Sequence, residues 1–517
     1  MLAGFLALAA WAFASPVGSS PDDDFHLISI WCAGGESKGM CEPGSTPESR
    51  TVPDALVSVA CFAFNPAETA NCQSSHLDLH GAMVETTRGN FVGAYPGQFY
   101  ATMHLLSGDN VQVSVLLMRL FNAAVFVLAL LAVCLALPKG LSRAATWGSL
   151  VAMVPLGIFI IPSTNPSSWA LTSAAITFVS VVGYISQDDR RRRYTAGGLA
   201  VIGVALAASA RADAALYGVL AIGVALIVTF RWARTWALRT IVPIVLAAIS
   251  MAAFFSTGQS SVASQGFTGD TAAPQDAIQL VSLFVEVPSL WIGALGYWGL
   301  GWIDTGLPSL VWIAAGAAFA GTLTVALPGI NRLQRLACFL LLAALWAIPM
   351  RVLWLSGAGV GQQVQPRYLL PLLMATVVVA LARFRGPGFA FRAPQSITLG
   401  VLLIVANSVA LHTNLRRYLT GNDVRSLDLN ADIEWWWNLP ISPMAVWLVG
   451  TLAFAGAVLL VAGQLRTHEA NSDRLELRRG LPQAETDVTA TPQSRTESSP
   501  RPRRLLPTAD PQPPAAE

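Results

Sequence analysis

The sequence predicts an all-α polytopic membrane protein of about twelve transmembrane helices, with a large first loop on the non-cytoplasmic side. Three observations predict it. Apolar residues make up 54% of the chain against 12% charged, and they fall in long uninterrupted blocks, which suits spanning helices better than a soluble core. Basic residues cluster in alternate connections between the blocks. Four of the six cysteines crowd into the one long connection that precedes residue 115, as expected of a segment on the oxidising side.

Apolar blocks lie at 1–15, 115–137, 147–162, 169–186, 197–210, 215–230, 240–255, 308–327, 336–355, 368–382, 396–412 and 443–463. A further apolar stretch, 279–300, contains Glu286 and Pro288. If it does not cross, then Lys139 with Arg143, Arg190 to Arg193, Arg231 with Arg234 and Arg239, Arg332 with Arg335, Arg383 with Arg385 and Arg392, and Arg466 all face one side. Cytoplasmic loops concentrate Lys and Arg in this way. The stretch is therefore expected as a re-entrant or interfacial helix, with both chain ends cytoplasmic.

The organisation follows. Residues 1–15 form a first transmembrane helix; Ala12-Phe13-Ala14 also suits signal-peptide cleavage, which would leave eleven spans. Residues 16–114 form the extracytoplasmic loop, in which Cys32, Cys41, Cys61 and Cys72 suit two disulfides with three possible pairings. Residues 115–463 form the helix bundle, where Cys134 and Cys338 read as small apolar residues. Residues 464–517, rich in Arg, Glu, Ser, Thr and Pro, read as a disordered cytoplasmic tail. No Walker or nucleotide-binding glycine motif is present, which argues against an ATP-driven pump, and nothing points to nucleic acid. Lysine occurs only at 38 and 139 in an Ala-, Gly- and Arg-rich background, the coding bias of GC-rich bacteria. The expected location is the bacterial plasma membrane.

Chemistry concentrates after the first span, in Ser20-Pro21-Asp22-Asp23-Asp24-Phe25-His26. Carboxylates at the edge of a low-dielectric cavity suit a general base, and Asp22 with Asp23 suits a hard divalent cation. The same run equally suits a helix N-cap. On the same side the topology places Arg88, Tyr95 and His104 in the loop, Asn165 and Ser167, Arg211 with Asp213, Asp304, and Arg367-Tyr368. Arg211 and Arg367 break the positive-inside pattern. An arginine there needs a carboxylate or a lipid-linked phosphate, which a guanidinium grips through paired hydrogen bonds. Snorkelling to headgroups is the simpler role. Trp302 and Trp435 to Trp437 suit an interfacial belt or sugar stacking.

Four passages in order resemble a family of bacterial membrane proteins known as domain of unknown function 2142, grouped with the glycosyltransferase C superfamily. They are Pro21-Asp22-Asp23-Asp24-Phe25-His26, Tyr95-Pro96 with Arg119, Gly301-Trp302-Ile303-Asp304-Thr305-Gly306-Leu307-Pro308, and Gln365-Pro366-Arg367-Tyr368-Leu369-Leu370-Pro371. Asp24 directly precedes Phe25-His26, one residue short of the usual spacing, and Pro366 stands where glycine is commoner. The resemblance implies a superfamily-like fold and a polyprenyl-phosphate-linked sugar as donor. It implies transfer with inversion to an envelope glycan, lipid or protein on the outer face. Asp22 or Asp23 would act as base or metal ligand, and Arg367 would hold the donor phosphate. A transporter or flippase of a lipid-linked sugar, or a non-catalytic protein keeping the fold, is the alternative; a transporter calls for ionisable residues near the midplane, and few are present.

Overall fold

In hydrocarbon every backbone polar group must be satisfied within the chain, so apolar blocks of this length fold as helices. The computed structural model describes residues 1–75, 77–266, 276–383 and 389–480. Among them, ten helices are long and apolar enough to cross a membrane: Val111–Ala136, Ser167–Ser186, Arg190–Ala210, Ala212–Thr229, Arg234–Phe255, Ala277–Tyr297, Ser309–Gly329, Arg332–Leu355, Ala393–Thr420 and Pro443–Leu465. Polar caps set several boundaries: the side chains of Asn110, Asp189 and Asn331 accept from backbone N–H groups of Val113, Arg192 and Gln334, as N-caps do.

All of these except Ala277–Tyr297 fall on blocks expected to span. Three other expected spans are shorter. Leu2–Phe13 and Pro366–Leu381 are apolar but brief, and 147–162 divides into the ends of Lys139–Met153 and Leu156–Ile160 around Pro155, because proline removes a donor and blocks the preceding turn. Ala277–Tyr297, expected not to cross, has the length and composition of a span. It is interrupted at Pro288 and at Gly296, whose φ is 110°. Both of its flanks touch the end of the bundle that carries the large loop. Gly258 N–H donates to Gly93 O at 3.4 Å on one side, and Trp302 Nε1 donates to Gly18 O at 2.9 Å on the other.

The loop is not wholly helical, as an all-α class would have it. Strands Glu42–Pro43, Arg50–Pro53 and Met83–Thr86 form a small antiparallel sheet with Thr51 opposite Glu85 and Val52 opposite Val84. Its strands are only two to four residues long, too short for the period-2 pattern to be read from sequence. The two expected disulfides form between sequence neighbours, Cys32–Cys41 and Cys61–Cys72; Cys134 and Cys338 are free thiols.

The chain divides into two units, Met1–Ala470 and Asn471–Glu517. The last helix, Pro443–Gly480, runs beyond 464, where the tail was expected to begin. Residues 481–517, the rest of that tail, lie outside the described residues.

Buried polar clamps fasten the loop to the bundle. Arg417, near the end of Ala393–Thr420, donates to the carbonyls of Phe62, Asn65 and Glu68 and pairs with Asp304 at 3.0 Å. Trp437 Nε1 donates to Phe13 O at 2.7 Å. Trp302, Trp435 and Trp437 are buried against the loop, so the structure uses them as packing anchors in place of an interfacial belt. Removing one partner of a buried, hydrogen-bonded charge pair costs about 3–5 kcal/mol. Arg417→Ala is therefore expected to lower the melting temperature by several degrees and to expose the Cys61–Cys72 segment to protease; limited proteolysis with peptide mapping checks both.

Candidate functional site

The three adjacent aspartates cannot share one environment, because successive residues on a helix point about 100° apart. Asp22 is the N-cap of the helix Asp23–Trp31 and is left-handed, with φ 62°, a conformation Asp and Asn tolerate better than most residues. Its side chain makes no capping bond. It reaches across the bundle, with Oδ2 accepting from Arg367 Nη2 at 2.5 Å and Oδ1 3.7 Å from Arg88 Nη2. The capping alternative is thus satisfied by position alone, and the carboxylate is directed elsewhere.

Asp23 takes a scaffolding role. It is fully buried, accepting from Ser20 N–H at 3.0 Å and from Thr164 Oγ1 at 2.7 Å. Asn165 beside it donates to Pro21 O at 2.9 Å and accepts from Ser167 N–H, fixing the turn that presents Asp22. Asp24 points outward and is held by Arg88 through two bonds of 2.8 and 2.7 Å.

Around Asp22 lies a cluster drawn from distant parts of the chain. Arg367 opens the helix Pro366–Leu381 and is buried, yet its Nε and Nη1 have no hydrogen-bond partner. Arg211, in extended conformation between two helices, pairs with Asp213 at 2.9 and 3.1 Å and leaves Nη1 unpartnered. The Tyr368 ring lies between the two cations, 4.3 Å from Arg211 Cζ and 5.0 Å from Arg367 Cζ, a stacking arrangement that guanidinium favours. Tyr95 sits 5.7 Å from Arg211 Cζ. His26 Nδ1 is 3.0 Å from Tyr100 Oη, its ring lies 5.5 Å from Tyr95, and its Nε2 is buried without a partner. Tyr95, Arg211 and Tyr368 line a cavity of about 160 Å³ together with Asp213 and Gln259, and the rest of its wall, including Phe254, Ile348 and Val352, is largely apolar.

Asp304 does not join this cluster; it is committed to Arg417. His104 is also elsewhere, with Nδ1 3.0 Å from Ile30 O. Among the described residues no three His, Cys, Asp or Glu side chains are placed to share a metal ion. Asp22 and Asp23, the expected metal pair, are engaged by different partners. Tyr100 and Thr164 contribute to the site and escaped sequence reading, because neither stands in a recognisable spacing with the residue it serves.

Electrostatics separate the groups further. Burial works to raise the Asp22 carboxyl, but the charge and hydrogen bond of Arg367, with the charge of Arg88, outweigh it and hold the group below its ordinary value. Burial pushes Asp23 up to about 7 against the pull of Arg119 and Thr164. His26 is pushed down to about 3, chiefly by burial, and is neutral at physiological pH.

These shifts have opposed consequences for stability. The Asp23 contribution is complete below 3.8 and lost as pH rises through about 7. The His26 contribution is complete above 6.5 and lost as pH falls through about 3. Between pH 4 and 6.5 they offset one another. Asp23→Asn is expected to make the melting temperature fall on acidification across that window, and His26→Gln to make it rise. Parallel profiles for both variants and the native protein would contradict this assignment.

A family model described as predicted membrane protein (DUF2142) matches residues 5–376. Asp22, Arg88, Tyr95, Arg211, Arg367 and Tyr368 all fall inside that span. No curated protein and no solved structure matches the chain.

Proposed function

We propose, from the premise that the chain belongs to the DUF2142 family of predicted membrane proteins, that it is a membrane glycosyltransferase of superfamily C type. It takes a sugar from a polyprenyl-phosphate donor and passes it to a cell-envelope acceptor at the loop-bearing face. That face is extracytoplasmic in a bacterial plasma membrane, with about twelve crossings and with Ala277–Tyr297 leaving and returning on the same side. The observation that carries the reading is the Asp22–Arg367 pair, in which a carboxylate meets a buried arginine that keeps two unpartnered donors, beside an apolar-walled cavity.

The donor phosphate engages Arg367 Nε and Nη1 and Arg211 Nη1, the donors left without acceptors, and the prenyl chain leaves along the apolar wall. Guanidinium groups suit phosphate through multiple charge-assisted bonds. Sharing Arg367 with a phosphate weakens its hold on Asp22. Burial, which already works to raise that carboxyl, then prevails, so the arriving donor makes Asp22 more basic. Asp22 accepts the proton of the acceptor hydroxyl as that oxygen bonds to the anomeric carbon. The bond from that carbon to the phosphate oxygen breaks with inversion, and polyprenyl phosphate departs with its charge on the arginines. Neutral His26, fully buried, packs against Tyr95 and backs the site.

Purified protein in detergent is expected to gain thermal stability with added polyprenyl phosphate, and Arg367→Gln to lose most of that gain. An equal shift in both proteins would contradict the phosphate role. Transport of an intact lipid-linked sugar predicts the same binding but no dependence of glycan transfer on Asp22.

A further inference from the structure

At the opposite end of the bundle, a cavity of about 620 Å³ opens between Leu2–Phe13, Val111–Ala136, Lys139–Met153 and Pro443–Gly480. Its inner walls are apolar, with Leu8, Phe126, Leu130 and Phe454 among them. Its mouth carries Lys139 and Arg143, four residues apart and so on one face of their helix. Arg143 Nη1 is buried without a hydrogen-bond partner. Among the described residues neither cation forms an ion pair with a carboxylate.

An apolar shaft under a mouth that carries two cations calls for an amphiphile with an anionic head. The volume lies within the range of about 300–1,000 Å³ typical of small-molecule sites, and basic pockets between membrane helices recognise anionic headgroups. We propose that this cavity binds an anionic phospholipid, with its phosphate between Lys139 and Arg143 and an acyl chain along Phe126, Leu130 and Phe454. The lipid fills the space beside Leu2–Phe13, a helix of only 12 residues, and supports it from the side away from Asp22.

The test uses full-length protein, delipidated in non-ionic detergent and titrated with phosphatidylglycerol or phosphatidylcholine of identical chains, with bound lipid counted by native mass spectrometry. Phosphatidylglycerol is expected to be preferred, and the preference to fall about fivefold for each cation removed in Lys139→Gln and Arg143→Gln. Gly4→Phe provides a second route that keeps both charges. A Cβ at Gly4 meets nothing within 4 Å, so the ring enters the cavity without disturbing the backbone and is expected to reduce phosphatidylglycerol binding. Equal binding of the two lipids by the native protein would overturn the proposal. So would an unchanged preference in the charge variants, unchanged binding in Gly4→Phe, or full displacement of the lipid by equimolar inorganic phosphate.

Discussion

Arg119→Met is expected to be the most damaging single substitution for folding, lowering the melting temperature by ten degrees or more or preventing accumulation altogether. Arg119 is 1% exposed within the helix Val111–Ala136, and its guanidinium gathers the chain where the first helix ends. It donates to the carbonyls of Ala12, Ser15 and Pro16 and to Ser19 Oγ. Methionine preserves much of the bulk but leaves these acceptors without their donor, at about 1–3 kcal/mol for each one left unsatisfied. Lysine is not expected to rescue, because one ammonium cannot reproduce the planar fork that spans four acceptors. Size-exclusion chromatography and thermal unfolding in detergent read this directly; a stable Arg119→Met protein would mean that Asn414, which also binds Ala14 O and Ser15 Oγ, suffices to hold the turn.

Asp22→Asn is expected to have the largest effect on function and to leave the fold in place. Asparagine retains the left-handed conformation that Asp22 adopts, and the side chain makes no capping bond to lose. What disappears is the negative charge opposite Arg367 and the ability to accept a proton. A positioned general base contributes roughly 10²–10⁴-fold, so transfer should fall by about that factor, and the melting temperature should fall by several degrees because buried Arg367 loses its counter-charge. Asp24→Asn is the matched control: it removes an adjacent charge held at the rim by Arg88 and should leave transfer within a few-fold of native.

Much of this arrangement is legible in the sequence for specific reasons. Long apolar blocks announce their helices, and arginines on the wrong side of the charge pattern single out Arg211 and Arg367. The four loop cysteines announce disulfides, although their number is silent on pairing. Sequence could not apportion Asp22, Asp23 and Asp24, because that depends on a left-handed residue at the start of a helix. Nor could it separate Asp304 from the cluster, since its partner Arg417 lies 113 positions away with no motif linking them. The tryptophans misled for a related reason: an interfacial composition looks the same whether the ring meets lipid or is covered by a folded loop.

The pairing of Asp22 with Arg367 is the centre of the account. Its most direct measurement compares envelope glycans from a deletion strain carrying the native protein, Asp22→Asn or Asp24→Asn at matched expression. The expected result is a glycan missing its transferred sugar in the Asp22→Asn strain alone. Normal glycan with Asp22→Asn would show that this carboxylate is not the base and would contradict the proposed reaction.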